Sequence, residues 1–395
     1  MNKKFNFENY FSKSSIEAEI PKTLHAKYDF AVAYPPPETI PLDGLLEGLK
    51  EGLLREGKDL AYYPDLLGAL SIRELVTEKL RQDRGIDSAP DEIMITQGSS
   101  EAINLVIQSL TDPGDTVITE EFVYVGTLRQ LRRSKADVVG SKLDENGLIP
   151  EELEILVKKL IKEGKRIKYI YTIPEFQNPT GSTLPLERRI KILKIAEKYN
   201  IPLLEDDCYV DLRFEGHTQP SFKSLDTIGL VTHIASFSKL LAPGLRMGYV
   251  LADNSLLKRM ISFKASQSSH FVSLAIEGFL IKNMDQHKSD VSEILRKKCN
   301  AMIGALGENL GGIGAKWSQP GGGCYVWLTM PEEINLMKLQ DIFFDRGVGF
   351  IPGPSFSPEG LGHNCARLCF AYESPENNRE GINLFGEILH ELNLI

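Results

Sequence analysis

No segment of this 395-residue chain reaches the roughly eighteen uninterrupted apolar residues that a membrane-spanning helix needs. The N-terminal run MNKKFNFENYFSKSS carries two lysines, but no apolar stretch of signal-peptide length follows them. These absences predict a cytoplasmic protein with no membrane partner. An excess of positive charge is also missing: 45 Lys+Arg stand against 54 Asp+Glu, a formal net charge of −9. Such a chain has no cationic field with which to displace counterions from nucleic acid, so no nucleic-acid partner is expected. The most cationic stretch, Lys158 to Lys168, lies among Leu156, Leu160 and Ile161 and reads as the solvated face of a helix.

Cysteine is scarce. Cys208, Cys299, Cys324, Cys365 and Cys369 form no CxxC pair, which excludes a disulfide framework and a zinc ribbon. His363, Cys365 and Cys369 lack a fourth ligand at suitable spacing, so no metal is expected. Internal repeats and low-complexity linkers are absent as well.

What is present is a soluble-globular composition, 42% hydrophobic and 25% charged, on a chain longer than one core usually organises. From about residue 91, short apolar runs alternate with helical stretches. Ile93–Thr96, Thr116–Thr119, Ile167–Ile173, Ile201–Leu204 and Val231–Ala235 read as buried strands, and Ser99–Leu110 reads as an amphipathic helix. This predicts an α/β domain with a mostly parallel central sheet. After about residue 290 a long helix, Val291–Leu310, precedes glycine-rich turns and a strand at Cys324–Leu328, predicting a smaller α+β domain. The expected division is 1–55, an N-terminal segment with one helix at Leu42–Leu54 that packs with the small domain or a partner subunit; 56–290, a large domain; and 291–395, a small C-terminal domain.

Three features follow predicted strands, where ligands collect in open α/β sheets. In Gln97-Gly98-Ser99-Ser100-Glu101 a glycine opens a helix whose free N–H groups and dipole favour a phosphate, although Ser99 or Ser100 as an ordinary N-cap explains the segment equally well. In Leu204-Glu205-Asp206-Asp207-Cys208-Tyr209 three acids end an apolar strand. A buried acid there needs a cation, which a pyridinium nitrogen, a Mg²⁺ ion or a helix N-terminus supplies. In Ala235-Ser236-Phe237-Ser238-Lys239, with Arg246 seven residues on, one amine and one guanidinium reach the same small ligand. A pyridoxal 5′-phosphate (PLP) site needs that pair, the amine for a Schiff base and the guanidinium with hydroxyls for the phosphate.

With these motifs in order, the chain resembles PLP-dependent transferases of fold type I, in particular class I and II aminotransferases related to 2-aminoadipate and aromatic aminotransferases, from about Tyr28 to Leu392. The resemblance implies that Lys239 in SFSK forms the Schiff base and moves the proton. It makes Asp206, three residues before Tyr209, the partner of the ring nitrogen. Tyr209 and Asn178, in QNPTG, then bond the cofactor's phenolic oxygen, with Asn178 also near substrate. Gly98, Ser99, Ser100, Ser236, Ser238 and Arg246 surround the phosphate, and Tyr124 stacks on the ring. Tyr63, with Tyr62 as the competing register, is lent to the neighbouring subunit's phosphate, which implies a homodimer with shared active sites. Arg367, in CARLCFAY, forks onto the substrate α-carboxylate.

The implied activity is amino transfer between an L-amino acid and a 2-oxo acid. One stretch departs from the family: where relatives carry a paired glycine, this chain has Phe30-Ala31-Val32-Ala33-Tyr34-Pro35. Those side chains remove positive-φ freedom and narrow the substrate space, which keeps a second outcome open, a lyase, cyclase or other tailoring enzyme on the same scaffold. A PLP-binding regulator would need a basic DNA-binding module ahead of the fold. None is expected, given the acidic balance and a fold beginning near residue 28.

Overall fold

The computed structural model describes residues 5–12 and 25–395. A seven-stranded sheet forms its centre: β1 (Ile93–Thr96), β2 (Thr116–Glu120), β3 (Asp137–Ser141), β4 (Ile167–Thr172), β5 (Leu203–Asp206), β6 (Val231–Ser236) and β7 (Gly248–Leu251). Their spatial order is β1-β7-β6-β5-β4-β2-β3. β7 runs antiparallel to both neighbours, and the pairs from β6 to β3 are parallel. Both faces of such a sheet must be covered, so its strands read as unbroken apolar runs. β1, β2, β5 and β7 are buried at every residue.

The strand predicted at Ile201–Leu204 lies two residues further on. Pro202 has no N–H to give the ladder, and Glu205 and Asp206 remain in β5 because each finds a buried partner. Helix α3 (Ser99–Leu110) buries Ala102, Ile103, Val106 and Ile107 as its apolar spacing predicts. A second sheet joins Tyr325–Thr329 and Cys365–Cys369 with two short edge strands. The N-terminal segment reaches this region through Tyr28–Asp29, which pairs parallel with Val348–Gly349.

The helix expected at Val291–Leu310 begins at His270 and continues without a break to Leu310. Its first half buries Leu274, Ala275, Ile276 and Phe279, and its second half buries Val291, Leu295, Cys299, Met302 and Leu306. Between them, in 281–290, His287 is the one buried residue, held by a 2.7 Å contact with the Leu240 carbonyl. The apolar period lapses there, so the sequence signal starts late. The anticipated boundary at 290/291 therefore falls inside a continuous helix.

Helix α1 (Leu42–Glu56) lies against the first half of this long helix through Gly44, Gly48 and Gly52, which recur every four residues on one face. The closest approach is between backbones: a Cβ added to Gly278 would stand 2.4 Å from the Gly48 Cα. Replacing Gly278 by alanine raises helix propensity by about 1 kcal/mol, but the two helices must part. We expect Gly278→Ala to destabilise the protein by about 1–3 kcal/mol despite that gain, read as a lower urea midpoint; an unchanged or higher midpoint would refute the close-packing argument.

Candidate active site

A cavity opens beyond the carboxyl ends of the central strands, where ligands collect in open α/β sheets. Ser99, Ser100, Tyr124, Asp206, Tyr209, Ser236, Ser238, Lys239 and Arg246 line it together, although they arise from five separate strand ends. At one pole α3 presents its first turn. Gly98, at φ 78°, precedes the helix, and no side-chain hydrogen bond caps it. The ordinary serine N-cap is thus not what this segment forms. Ser100 Oγ accepts instead from Gln130 (3.0 Å), and Ser99 and Ser100, in the turn whose leading amides lack intrahelical acceptors, line the cavity together with Arg246.

Arg246 is anchored by a 2.8 Å bond from Nη2 to the Gln97 carbonyl, and a Cβ on Gly98 would come within 2.8 Å of that nitrogen. Ser236 Oγ donates to Ser238 Oγ at 3.0 Å and accepts from the Ser238 amide at 3.2 Å. Amides, hydroxyls and a guanidinium around one pole make a site for a phosphate dianion.

The three acids of β5 and its exit have different partners. Glu205 accepts from the Phe222 and Lys223 amides (2.7 and 3.0 Å) and contacts His233 Nδ1 at 3.0 Å. Burial opposes its ionisation, but His233, Arg84 and Arg189 outweigh burial and hold it below the usual carboxylate range. Asp207 forms a buried ion pair with Arg84, 2.8 Å from its Nε. Asp206 alone lines the cavity. Its Oδ2 accepts a 2.6 Å bond from the Tyr171 hydroxyl, while its Oδ1 is buried without a hydrogen-bond partner. Burial pushes this carboxyl up, against the nearby Cys208 thiol and the Tyr171 hydrogen bond. A protonated ring nitrogen would supply the missing donor, so the acid fits the base of a pyridine.

Lys239 leaves β6 into the cavity and donates to the Ala33 carbonyl. Burial lowers its pKa, and the Arg367 charge adds to that effect. Tyr209 accepts a 3.1 Å bond from Asn178 Nδ2, and burial keeps its phenol protonated. Arg367, 1% exposed, does not line the cavity itself; its guanidinium stacks on the ring of Tyr325, which does, at 4.5 Å. It donates to the Ala31 and Val32 carbonyls (2.7 and 3.0 Å) and lies 3.4 Å from Asn178 Oδ1. Its Nε has no partner, and no carboxylate among the described residues pairs with it. The departing segment 30–35 thus lies at the site as its position in the sequence implied. None of Phe30 to Tyr34 has a positive φ, however, so the side chains there cause no backbone strain.

These groups fit PLP at each of its polar features: a phosphate pole, an acid with a free oxygen for the ring nitrogen, an amine for the aldehyde carbon, and donors for the phenolic oxygen. Tyr63 lies apart, 90% exposed beside Tyr62 at 77%. Its spacing to Gly68 and Arg73 has a structural basis, because Arg73 Nε bonds the Gly68 carbonyl at 3.0 Å and fixes that turn.

Ala33, of the departing segment, lines the cavity; sequence reasoning missed Ile173, Cys208 and Tyr325, which also line it, and Tyr171, which touches Asp206. Tyr325 sits on a strand of the second sheet with no motif around it. Tyr171 lies in a predicted strand, where a buried hydroxyl was itself a signal, since such a group requires a partner.

The adjacent acids separate by stability. Asp207→Asn leaves Arg84 a buried unpaired charge and should cost about 3–5 kcal/mol, whereas Asp206→Asn, measured without PLP, should cost much less. Urea midpoints test this, and equal losses would contradict the assignment.

The sequence profile of aminotransferase class I and II matches residues 34–385. Aromatic-amino-acid aminotransferase 1 of Thermococcus litoralis is 31% identical over 398 residues, covering 98% of this chain and 95% of that protein. The solved kynurenine aminotransferase of Pyrococcus horikoshii, in complex with PMP, superposes with a TM-score of 0.92 at 30% identity over 98% of both chains. The α-aminoadipate aminotransferase of Thermus thermophilus, complexed with N-(5′-phosphopyridoxyl)-L-leucine, gives a TM-score of 0.86 at 28% identity over 93% of each chain. A pole of hydroxyls and a guanidinium, a buried acid with one free oxygen and an amine with a lowered pKa share one cavity, and the chain belongs to the class I and II aminotransferases, PLP-dependent enzymes of fold type I.

Proposed function

We propose that this aminotransferase passes the amino group of an apolar or aromatic L-amino acid to a 2-oxo acid, with Lys239 as the cofactor's covalent anchor and the proton carrier. The carrying observation is the convergence on one cavity of a buried amine with a lowered pKa and a buried carboxylate with one free oxygen. When bound, PLP supplies an electron sink for the pair left behind as a proton departs from the substrate Cα.

The chain's own residues do the rest. Arg367 forks onto the α-carboxylate, a planar task suited to guanidinium. Lys239, its amine favoured in the neutral form by burial, takes the proton from Cα and delivers it to the cofactor's C4′. Asp206 keeps the ring nitrogen protonated, Tyr209 and Asn178 hold the phenolic oxygen, and Tyr124 covers the ring. Ser99, Ser100, Ser236, Ser238 and Arg246 hold the phosphate.

The charged groups lining the cavity among the described residues are Asp206, Lys239 and Arg246, and each has a task above. No further cation there awaits a side-chain carboxylate, while Ile173, Tyr124 and Tyr325 supply apolar and aromatic wall. The similarity to an aromatic-amino-acid aminotransferase supports the same class. Cytoplasmic placement is supported by five unpaired cysteines. A homodimer is supported by the exposed apolar residues Leu42, Leu46, Leu54, Tyr62, Tyr63 and Leu70, gathered on α1, the start of helix α2 (Leu70–Arg84) and the turn between them. Tyr63 then serves the partner's phosphate pole.

With phenylalanine or tyrosine as sole substrate, the enzyme should release one equivalent of oxo acid per active site and stop until a second 2-oxo acid is added. It should prefer these donors to aspartate by about tenfold or more in kcat/KM, the scale of apolar discrimination. Multiple turnovers without acceptor would identify the lyase or cyclase chemistry instead, and preference for aspartate would overturn the substrate class.

Lys239→Ala should lose borohydride-trappable cofactor and lower turnover by at least about 10²–10⁴-fold. Mixed with Tyr63→Ala under subunit exchange, it should recover activity above either parent, since a hybrid dimer assembles one intact site. No recovery despite verified exchange would argue against shared sites.

A further inference from the structure

Asp206 has two oxygens in different circumstances. Oδ1 is buried and free, whereas Oδ2 is engaged by a phenol on the neighbouring strand β4, Tyr171, at 2.6 Å. Tyr171 is fully buried. The Thr127 hydroxyl, on helix α4 (Val125–Arg133), donates to the same phenol oxygen at 3.1 Å. With its oxygen accepting from Thr127, the phenol's single proton is committed to Asp206. A three-membered chain, Thr127 to Tyr171 to Asp206, therefore runs from the helix that Tyr124 precedes to the acid lining the cavity.

We propose that Tyr171 is a positioning residue that acts through Asp206: its hydroxyl fixes one carboxylate oxygen, so that the other faces the ring nitrogen of PLP as an ionised acceptor. This rests on the reading of Asp206 as that nitrogen's partner. The physical case begins with burial, which favours the neutral acid and so works against a carboxylate that must stay charged. Each hydrogen bond donated to the charged form opposes this tendency, and a bond to an ionised acceptor is about twice as strong as a neutral one. Tyr171 is a dependable donor because burial raises its own pKa well above the usual value.

Other groups around Asp206 pull in both directions. On its own chain segment the Cys208 thiol favours the charged form and Asp207 repels it; His233 on β6 attracts; Glu120 on β2 and Tyr124 at the start of α4 interact unfavourably as anions. Among these, Tyr171 makes the short oxygen-to-oxygen bond and carries a second donor behind it. The arrangement also orients. With Oδ2 engaged by the phenol, Oδ1 is the oxygen left for the ring nitrogen.

The test uses the holoenzyme loaded with PLP that carries ¹⁵N in the ring, together with the affinity of the cofactor-free protein for PLP. In the parent, the ¹⁵N resonance should report a protonated nitrogen near neutral pH. Tyr171→Phe, which removes only the hydroxyl, should move the resonance toward the neutral-pyridine value and weaken PLP binding by about ten- to a hundredfold, the range for a lost hydrogen bond to a charged group. Thr127→Val should shift the resonance the same way by less.

Asp206→Asn is the reference. If it moves the resonance and Tyr171→Phe leaves both resonance and affinity unchanged, the Tyr171 proposal is overturned and the Asp206 reading stands. If Asp206→Asn leaves the resonance unmoved, the Asp206 reading itself fails, and the proposal fails with it. Should Tyr171→Phe not be recovered folded, the Thr127→Val resonance decides by the same criterion.

Discussion

A charge held at the end of a buried strand is the constraint on which this molecule's arrangement depends. β5 enters the core as Leu203-Leu204 and leaves it through three consecutive acids, each at most 3% exposed. Burying one unpaired carboxylate is costly, and three are tolerable only if each has its own answer. Strand periodicity supplies the separation, because alternate residues face opposite sides of the sheet. Glu205 and Asp207 share one surrounding: both lie within 4.0 Å of the His233 ring, and Arg84 closes on Asp207. Asp206, between them, meets Tyr171 and the cavity. The flanking acids are answered inside the fold, which leaves the middle one to be answered by a ligand.

The same logic extends outward. Tyr124 needs room for its ring, and Gly126 provides it, since a Cβ there would come within 2.5 Å of the ring carbon Cζ. Thr127, one residue further, reaches back to Tyr171. The residue assigned to the ring's face and the residue assigned to its nitrogen are thereby joined through one helix turn and one phenol. At the other pole Gly98 lets Arg246 approach the first turn of α3, so glycine acts at both ends by yielding space to a neighbour's side chain.

Much of this was legible in the sequence for a definite reason: parallel strands buried on both faces are written as apolar runs, and in such sheets the residues just after them face the ligand. That places Gly98, Asp206 and Lys239 from strand ends alone, while Tyr124 and Asn178 are legible only through the family resemblance. What stayed hidden depends on partners distant in sequence. Nothing near Asp207 announces that Arg84, at the end of α2, neutralises it, and nothing in IKYIYT distinguishes Tyr171, which bonds Asp206, from Tyr169, which sits 3.5 Å from Thr111. The long helix was misjudged at its start because 281–290 bridges two packed halves through solvent, and helix continuity there is carried by neither apolar period nor cap.

The segment that departs from the family is where sequence and structure combine to the greatest effect. Replacing open glycines by Ala31, Val32 and Ala33 suggested a lost conformation and a narrowed seat. The backbone, however, adopts no conformation that needs glycine, and what this segment contributes is three carbonyl oxygens. Those of Ala31 and Val32 hold Arg367, and that of Ala33 accepts from Lys239. Arg367 belongs to the second sheet and Lys239 follows the first, so one short stretch of main chain spans the proposed carboxylate-binding cation and the proposed anchoring amine. Side chains can vary along it without breaking either contact, because the contacts are made by atoms every residue possesses. Its side chains can therefore reshape the substrate space, with Ala33 on the cavity wall, while the machinery of amino transfer is left intact.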